Sequence, residues 1–262
     1  MTGQLIQPEH FKIWQSMLDV DVQKSFEAIE QIKLEAHSFT FYTSVSVMSS
    51  SKIEGEALEV DSFVKHKMLA VEYLPELTEK PNDLYNGYLY ARENRLNRHH
   101  FEAAHKLVAA HLLPSHLRGA IRRTEMLVME HKTGRIQYEA APLSLVNEHY
   151  MALWDEIETL LQEPMGVEEV FYHAAFIHLV FVNIHPYSDG NGRMARLLEK
   201  WFLAEKLGER AWYIQTEQYY YRHVNDYYKN LARLGLFYEE LDYGRSIPFL
   251  LMLPQSLVVN NI

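Results

Sequence analysis

Residues 167–182 (VEEVFYHAAFIHLVFV) are apolar on nearly every face, and a helix with no polar side must sit inside other protein. That stretch predicts a bundle with a helix at its centre. Other helical patterns flank it. Phe11, Trp14, Met17 and Leu18 recur at helical spacing after a helix-starting Pro8. Val146, Tyr150, Leu153, Trp154, Ile157, Leu160 and Leu161 do so after the break at Pro142. Further helices are expected over 82–97, 99–112, 192–207 and 216–234. Only residues 124–138 (TEMLVMEHKTGRIQY) break the rhythm, with β-prone runs on either side of a Lys-Thr-Gly turn that predict a hairpin. The expected fold is all-α, one helical bundle carrying one small β-hairpin.

Composition narrows the function. The 262 residues are 48% hydrophobic, enough for a real core. The chain has no cysteine, which removes disulfides, thiolate nucleophiles and zinc–thiolate sites and fits a reducing compartment. Its net charge of −10 argues against a basic face that grips nucleic acid, while leaving room for a small basic pocket. The N-terminal residues lack a signal-peptide pattern. No run reaches about 18 uninterrupted apolar residues, so no membrane span is expected. A cytoplasmic protein is the expectation.

Chemistry concentrates in residues 185–196, HPYSDGNGRMAR. A buried helix should end at Pro186 and an amphipathic one start near Asn191. Gly190, Asn191 and Gly192 permit a backbone that turns successive N–H groups into one concavity, and a helix N-terminus adds positive potential there. Arg193 and Arg196 share a helix face, completing an anion cradle suited to a polyphosphate. Asp189 would repel such an anion unless a cation lay between them, the usual Mg²⁺ arrangement. His185 is the side chain placed to act as a general base.

This segment resembles the Fic family, whose signature is His-x-Phe-x-(Asp/Glu)-Gly-Asn-Gly-Arg-x-x-Arg. It matches at His185, Asp189, Gly190, Asn191, Gly192, Arg193 and Arg196 and departs at Tyr187, where the family has Phe. The resemblance implies a Fic-type bundle with a hairpin flap, covering roughly residues 98–235 as the catalytic core. Residues 1–97 would be an N-terminal helical region and 236–262 a C-terminal extension on the same domain. It implies an enzyme that moves AMP from ATP to a hydroxyl of a target protein. In that scheme His185 is the base and Asp189 holds Mg²⁺. The Gly190–Gly192 backbone and Asn191 receive phosphate oxygens, and Arg193 and Arg196 orient the β- and γ-phosphates. Arg122 and the hairpin resemble the approach to the flap, with Met126, Leu127, Val128 and Met129 as its target-binding strand. Asn225, Tyr227 and Tyr228 resemble the region that closes over adenine. His178 reads as a core histidine.

Upstream, Ser50, Glu54 and Gly55 fit the family's inhibitory pattern (Ser/Thr)-x-x-x-Glu-(Gly/Asn). The likeness implies that Glu54 pairs with Arg196 and blocks the productive γ-phosphate pose. Removal of AMP, transfer of another phosphate-containing group and ATP sensing without turnover stay open as alternatives, though the intact His185 speaks against the last. ATP and an unidentified protein are the expected partners, with no nucleic acid or membrane, and an oligomer is possible.

Overall fold

The structure, a computed structural model, describes residues 4–29, 36–129, 134 and 136–259. The helices are α1 (Phe11–Ser16), α2 (Val22–Ala28), α3 (Ala36–Ile53), α4 (Val60–Leu69), α5 (Pro75–Glu93) and α6 (Arg98–Val108). A hairpin of β1 (Leu127–Met129) and β2 (Ile136–Glu139) follows. Then come α7 (Leu143–Gln162), α8 (Val167–Ile184), α9 (Asn191–Leu207), α10 (Thr216–Arg222), α11 (Val224–Ala232), α12 (Ile247–Leu250) and α13 (Met252–Val259).

Helix α8 is the centre, as its sequence requires. From Val170 to Ile184 it is buried on all sides apart from His173. It has the length and apolarity to cross a membrane, yet it is 78% buried inside the protein. It packs most extensively on α9, which returns antiparallel after the 185–190 loop. One apolar core runs from Ile6 to Leu257 and joins the N-terminal helices, the α8–α9 pair and α13.

Helix α3 shows what periodicity misses. It is rich in Ser and Thr, and Thr43, Ser44, Ser46, Ser49, Ser50 and Ser51 are all buried. These small side chains let α3 lie close against α9, whose cationic groups need acceptors. Ser46 Oγ accepts from Lys200 Nζ at 2.8 Å, and one turn on, Ser50 Oγ accepts from Arg196 Nε at 2.8 Å. The next rung in this antiparallel series sets Glu54 against Gly192. A side chain at Gly192 would collide with the Glu54 carboxylate.

Several boundaries differ from the sequence expectation. Helix α5 begins at Pro75 and runs through Pro81, where a start at 82 was expected. The lost N–H bond at Pro81 is tolerated beside a buried face of Leu84, Tyr85, Tyr88 and Ala91. Helix α6 ends at Val108, short of 112. The expected helix over 216–234 is two helices broken at His223, whose ring donates to the Tyr219 carbonyl at 3.0 Å. The flap strand starts at Leu127. Met126 lies just outside it, though its carbonyl accepts from the Ala140 N–H at 3.1 Å. Of the Lys-Thr-Gly turn only Gly134 lies within the described residues, at φ +66°.

Candidate active site

The 185–193 loop is fixed from below by buried groups. Tyr187 is fully buried, its ring stacked on His105 at 3.8 Å between centroids and its hydroxyl bonded to that of Tyr150 at 2.9 Å. Tyr can replace Phe here because its hydroxyl finds a partner. Asn191 clamps the loop from within. Its Oδ1 accepts from the Tyr187 N–H at 2.9 Å, and its Nδ2 donates to the Tyr187 carbonyl at 2.7 Å. The carboxamide is therefore committed to the loop, and what Asn191 can offer an anion is its backbone N–H.

His105 is a structural anchor that sequence reasoning missed. Its Nδ1 accepts from the Gly119 N–H at 2.7 Å, which fixes the proton on Nε2; that group donates to the Asp189 carbonyl at 3.0 Å. Burial holds its pKa down to about 4, against the opposing bond to Asp189. Gly190 sits over this ring at φ +82°, a left-handed turn that leads the chain into α9. Arg122 is the other anchor. Its Nε donates to the His185 carbonyl at 2.8 Å and its Nη1 to Thr124 at 2.7 Å. Its Nη2 reaches the Ala141 carbonyl, so one guanidinium ties both ends of the flap to the C-terminus of α8.

His185 caps α8 in a left-handed conformation, φ +53°. Its Nδ1 donates to the Val182 carbonyl at 3.0 Å, which leaves Nε2 as the lone-pair nitrogen. Burial first, with Arg122 beside it, lowers its pKa to about 4, so the ring is neutral at pH 7. Beyond it, α9 makes its first intrahelical bond from Met194 to the Gly190 carbonyl. The N–H groups of Asn191, Gly192 and Arg193 thus lack intrahelical acceptors and form an anion-binding end. Asp189 is exposed at the lip, one oxygen taken by the Gly190 N–H at 2.6 Å.

Glu54 fills the far side of the site. Its carboxylate accepts from Arg196 Nη2 at 2.6 Å, while Ser50 takes Arg196 Nε through Oγ at 2.8 Å and Nη2 through its carbonyl at 3.3 Å. Gly55 ends the helix at φ +89°, turning the chain away. Burial alone would raise the Glu54 carboxyl. Arg196, Arg193 and the hydrogen bond outweigh it and hold the group below its ordinary value. Arg196 is in turn pinned by Tyr227, whose hydroxyl lies 3.5 Å from Nη1 and 3.0 Å from His178 Nε2. His178 is the core histidine expected, its Nδ1 on Glu199 at 2.8 Å.

These groups enclose a cavity of about 160 Å³. Its wall includes His185, Asp189, the Gly190–Gly192 turn, Glu54 and Arg196, then Leu127, Val128 and Met129 of β1 and Tyr227 and Tyr228 of α11. Of the expected site residues, Arg193, Met126, Ser50 and Gly55 lie outside this wall, and Ser50 reaches it only through its bonds to Arg196. Arg193 faces Glu56, Nη2 to Oε1 at 3.0 Å, a pairing that the sequence did not signal. A larger recess of about 580 Å³ lies between the N-terminal segment and α7, but its walls carry Asp155, Glu156 and Glu163 and no Lys or Arg. That is no place for a polyphosphate.

Residues 95–203 match the Fic/DOC family, and the chain carries a Fic domain. It is 32% identical over 94 residues to the protein adenylyltransferase Fic of Aedes aegypti, and 33% identical over 94 residues to that of Culex quinquefasciatus. Each alignment covers 36% of this chain and 17% of the relative, so the chain matches under a fifth of those proteins' length. Its fold is similar to a Fic family protein from Desulfovibrio desulfuricans, with TM-score 0.73 and 18% identity over 98% of this chain and 72% of that one. It is also similar to a Fic domain containing signaling protein from Bacteroides thetaiotaomicron (TM-score 0.69, 17% identity, 91% and 94% coverage) and to Fic-1 from C. elegans (TM-score 0.66, 18% identity, 97% and 72%).

Proposed function

We propose that this chain transfers AMP from ATP to a hydroxyl of a target protein and that its resting form is held closed by Glu54. The observation that carries the reading is the placement of His185. Its Nδ1 is tied to Val182, so its Nε2 lone pair is the free one, in the same recess as the unsatisfied N–H groups of α9. A target hydroxyl deprotonated by Nε2 would attack the α-phosphorus. A new P–O bond forms as the bond to the β-phosphate breaks, and pyrophosphate leaves with the displaced electron pair. A nucleotide's negative charge beside the ring would raise its low pKa toward neutrality, matching base to task. Positioning and charge neutralisation do the rest.

The residues fit Mg²⁺. Among the described residues no group of three His, Asp or Glu side chains is arranged to hold a metal by itself. Asp189 would therefore supply one carboxylate oxygen and the phosphates the others, as is usual for this ion. Bound there, Mg²⁺ would neutralise phosphate charge. Closure by Glu54 is supported by size as well as charge. About 160 Å³ is only about half of the ~300 Å³ at which small-molecule pockets begin.

Removal of AMP is the second reading. It is favoured by the Glu54 carboxylate lying against Gly192, where it can orient a water toward a phosphate on the α9 N-terminus. The experiment that separates them uses Glu54→Gly with Mg²⁺ and ATP labelled at either the α- or the γ-phosphate. AMP transfer attaches the α label to protein and leaves the γ label free. Attachment of the γ label, or of neither, rejects the transfer reading. Faster loss of AMP from a labelled protein with the parent than with Glu54→Gly would favour removal.

A further inference from the structure

Arg193 is the loop's other guanidinium, with a side chain 5% exposed, and it too is paired from the α3–α4 turn. Its Nη2 donates to Glu56 Oε1 at 3.0 Å, and the same oxygen accepts from Lys80 Nζ of α5 at 3.1 Å. The Glu56 side chain is 13% exposed, far more enclosed than an ordinary surface carboxylate. Among the described residues Arg193 Nε has no acceptor, so Glu56 leaves this buried cation under-satisfied. A guanidinium in that state favours a ligand with more oxygens than one carboxylate brings to it.

The geometry is that of a pair. Glu54 holds Arg196 at 2.6 Å and Glu56 holds Arg193 at 3.0 Å, with only Gly55 between them. Its φ of +89° makes the sharp turn that lets neighbouring carboxylates reach two arginines on successive turns of α9. Two negative charges of the turn thus stand against two positive charges of the loop.

Resting on the nucleotide reading above, we propose that Glu56 is a second occupant of the anion site. It covers the arginine that receives the middle phosphate, while Glu54 covers the one for the terminal phosphate. The turn therefore discriminates ligands by phosphate number. A nucleoside monophosphate meets only the α9 N–H groups and displaces neither carboxylate. A diphosphate displaces Glu56, and a triphosphate displaces both. Lys80, with its side chain 40% exposed, is the cation on which Glu56 rests once Arg193 has been taken. Because Lys80 belongs to α5, Glu56 keeps its place when Glu54 is removed, and Glu54→Gly opens only half of the site.

The test is calorimetry of AMP, ADP and ATP with Mg²⁺ on the full chain, comparing the parent with Glu56→Gln, Glu54→Gly and the double variant. Glu56→Gln should tighten ADP by about 3–10-fold, because Glu56 would trade its bond to Arg193 for the one to the half-exposed Lys80, and leave AMP within about twofold. The double variant should bind ATP more tightly than Glu54→Gly. Glu56→Asp keeps the charge but shortens the arm, and should shift ADP in the same direction. The proposal is overturned if Glu56→Gln leaves ADP unchanged, if AMP tightens equally, or if Gln acts and Asp does not, which would point to net charge. If no variant binds any nucleotide, it is the nucleotide reading that has failed.

Discussion

Two segments meet at the recess, and they are held by different forces. The 185–193 loop is fixed by buried hydrogen bonds to backbone, through Asn191, His105 and Arg122, and by a stacked aromatic ring. The 54–56 turn reaches the same place with two ion pairs, and Gly55 itself is exposed. Bonds of the first kind leave orphaned polar groups when broken, which makes them costly to lose. The ion pairs of the turn can be exchanged for those that an incoming anion makes with the same guanidinium groups. On the proposed reading the loop is the permanent half of the site and the turn the removable half.

The largest expected effect lies on the loop. In the Glu54→Gly background, His185→Ala should lower AMP transfer by ~10²–10⁴-fold while ATP binding persists. Near-normal transfer by the folded variant would take His185 out of the mechanism. Asn191→Ala should cost roughly 2–4 kcal/mol of stability, since it strands two buried backbone groups of Tyr187. Glu54→Gly should cost much less, because Arg196 keeps both Ser50 acceptors. Urea denaturation of the two variants would break the comparison if their losses were equal.

Acid should attack the loop as well. His105 has a folded pKa near 4, below the ordinary 6.5 of an unfolded chain. Its contribution is present in full above pH 6.5 and is lost as pH falls toward 4, where protonation favours the unfolded chain. For this buried ring the loss is roughly 3 kcal/mol. Stability measured at pH 7, 5.5 and 4.5 should decline, and His105→Gln should flatten part of the slope. An equally steep decline in that variant would contradict the assignment. The smallest effect belongs to the flap. Met126 turns its carbonyl toward β2, so strand alternation points the Leu127 N–H to the open edge. Leu127→Pro should reduce protein labelling about 5-fold, the worth of one hydrogen bond, and spare ATP binding. Equal loss of both would mean a structural role.

The sequence was most informative where one pattern served one purpose. The unbroken apolarity of residues 167–182 predicted the central helix, and the order of His185 to Arg196 predicted the loop and helix start that border one recess. It was mute where the same residue type serves opposite ends. The serines of α3 give no apolar periodicity to read, yet they are buried, where Ser46 and Ser50 accept from Lys200 and Arg196 of α9. Asn191 read as part of the phosphate cradle, and the second task of its carboxamide, closing the loop on Tyr187, had no sign in the sequence. Glu56 and His105 carry no local signal. Their partners lie 137 and 84 residues away in the chain, and only the fold brings them together.

The central claim is that Glu54 occupies a working nucleotide site. Rates of AMP incorporation from α-labelled ATP should be compared for the parent, Glu54→Gly and Glu54→Gly/Arg196→Ala. A gap of ~2.7 kcal/mol leaves about 1% of molecules open, so a contact worth a few kcal/mol is enough to keep the site closed. The account predicts a gain of ~10–100-fold for Glu54→Gly and its cancellation in the double variant, because Arg196 serves both the closed pair and the nucleotide. Labelling by Glu54→Gly no faster than by the parent would contradict it.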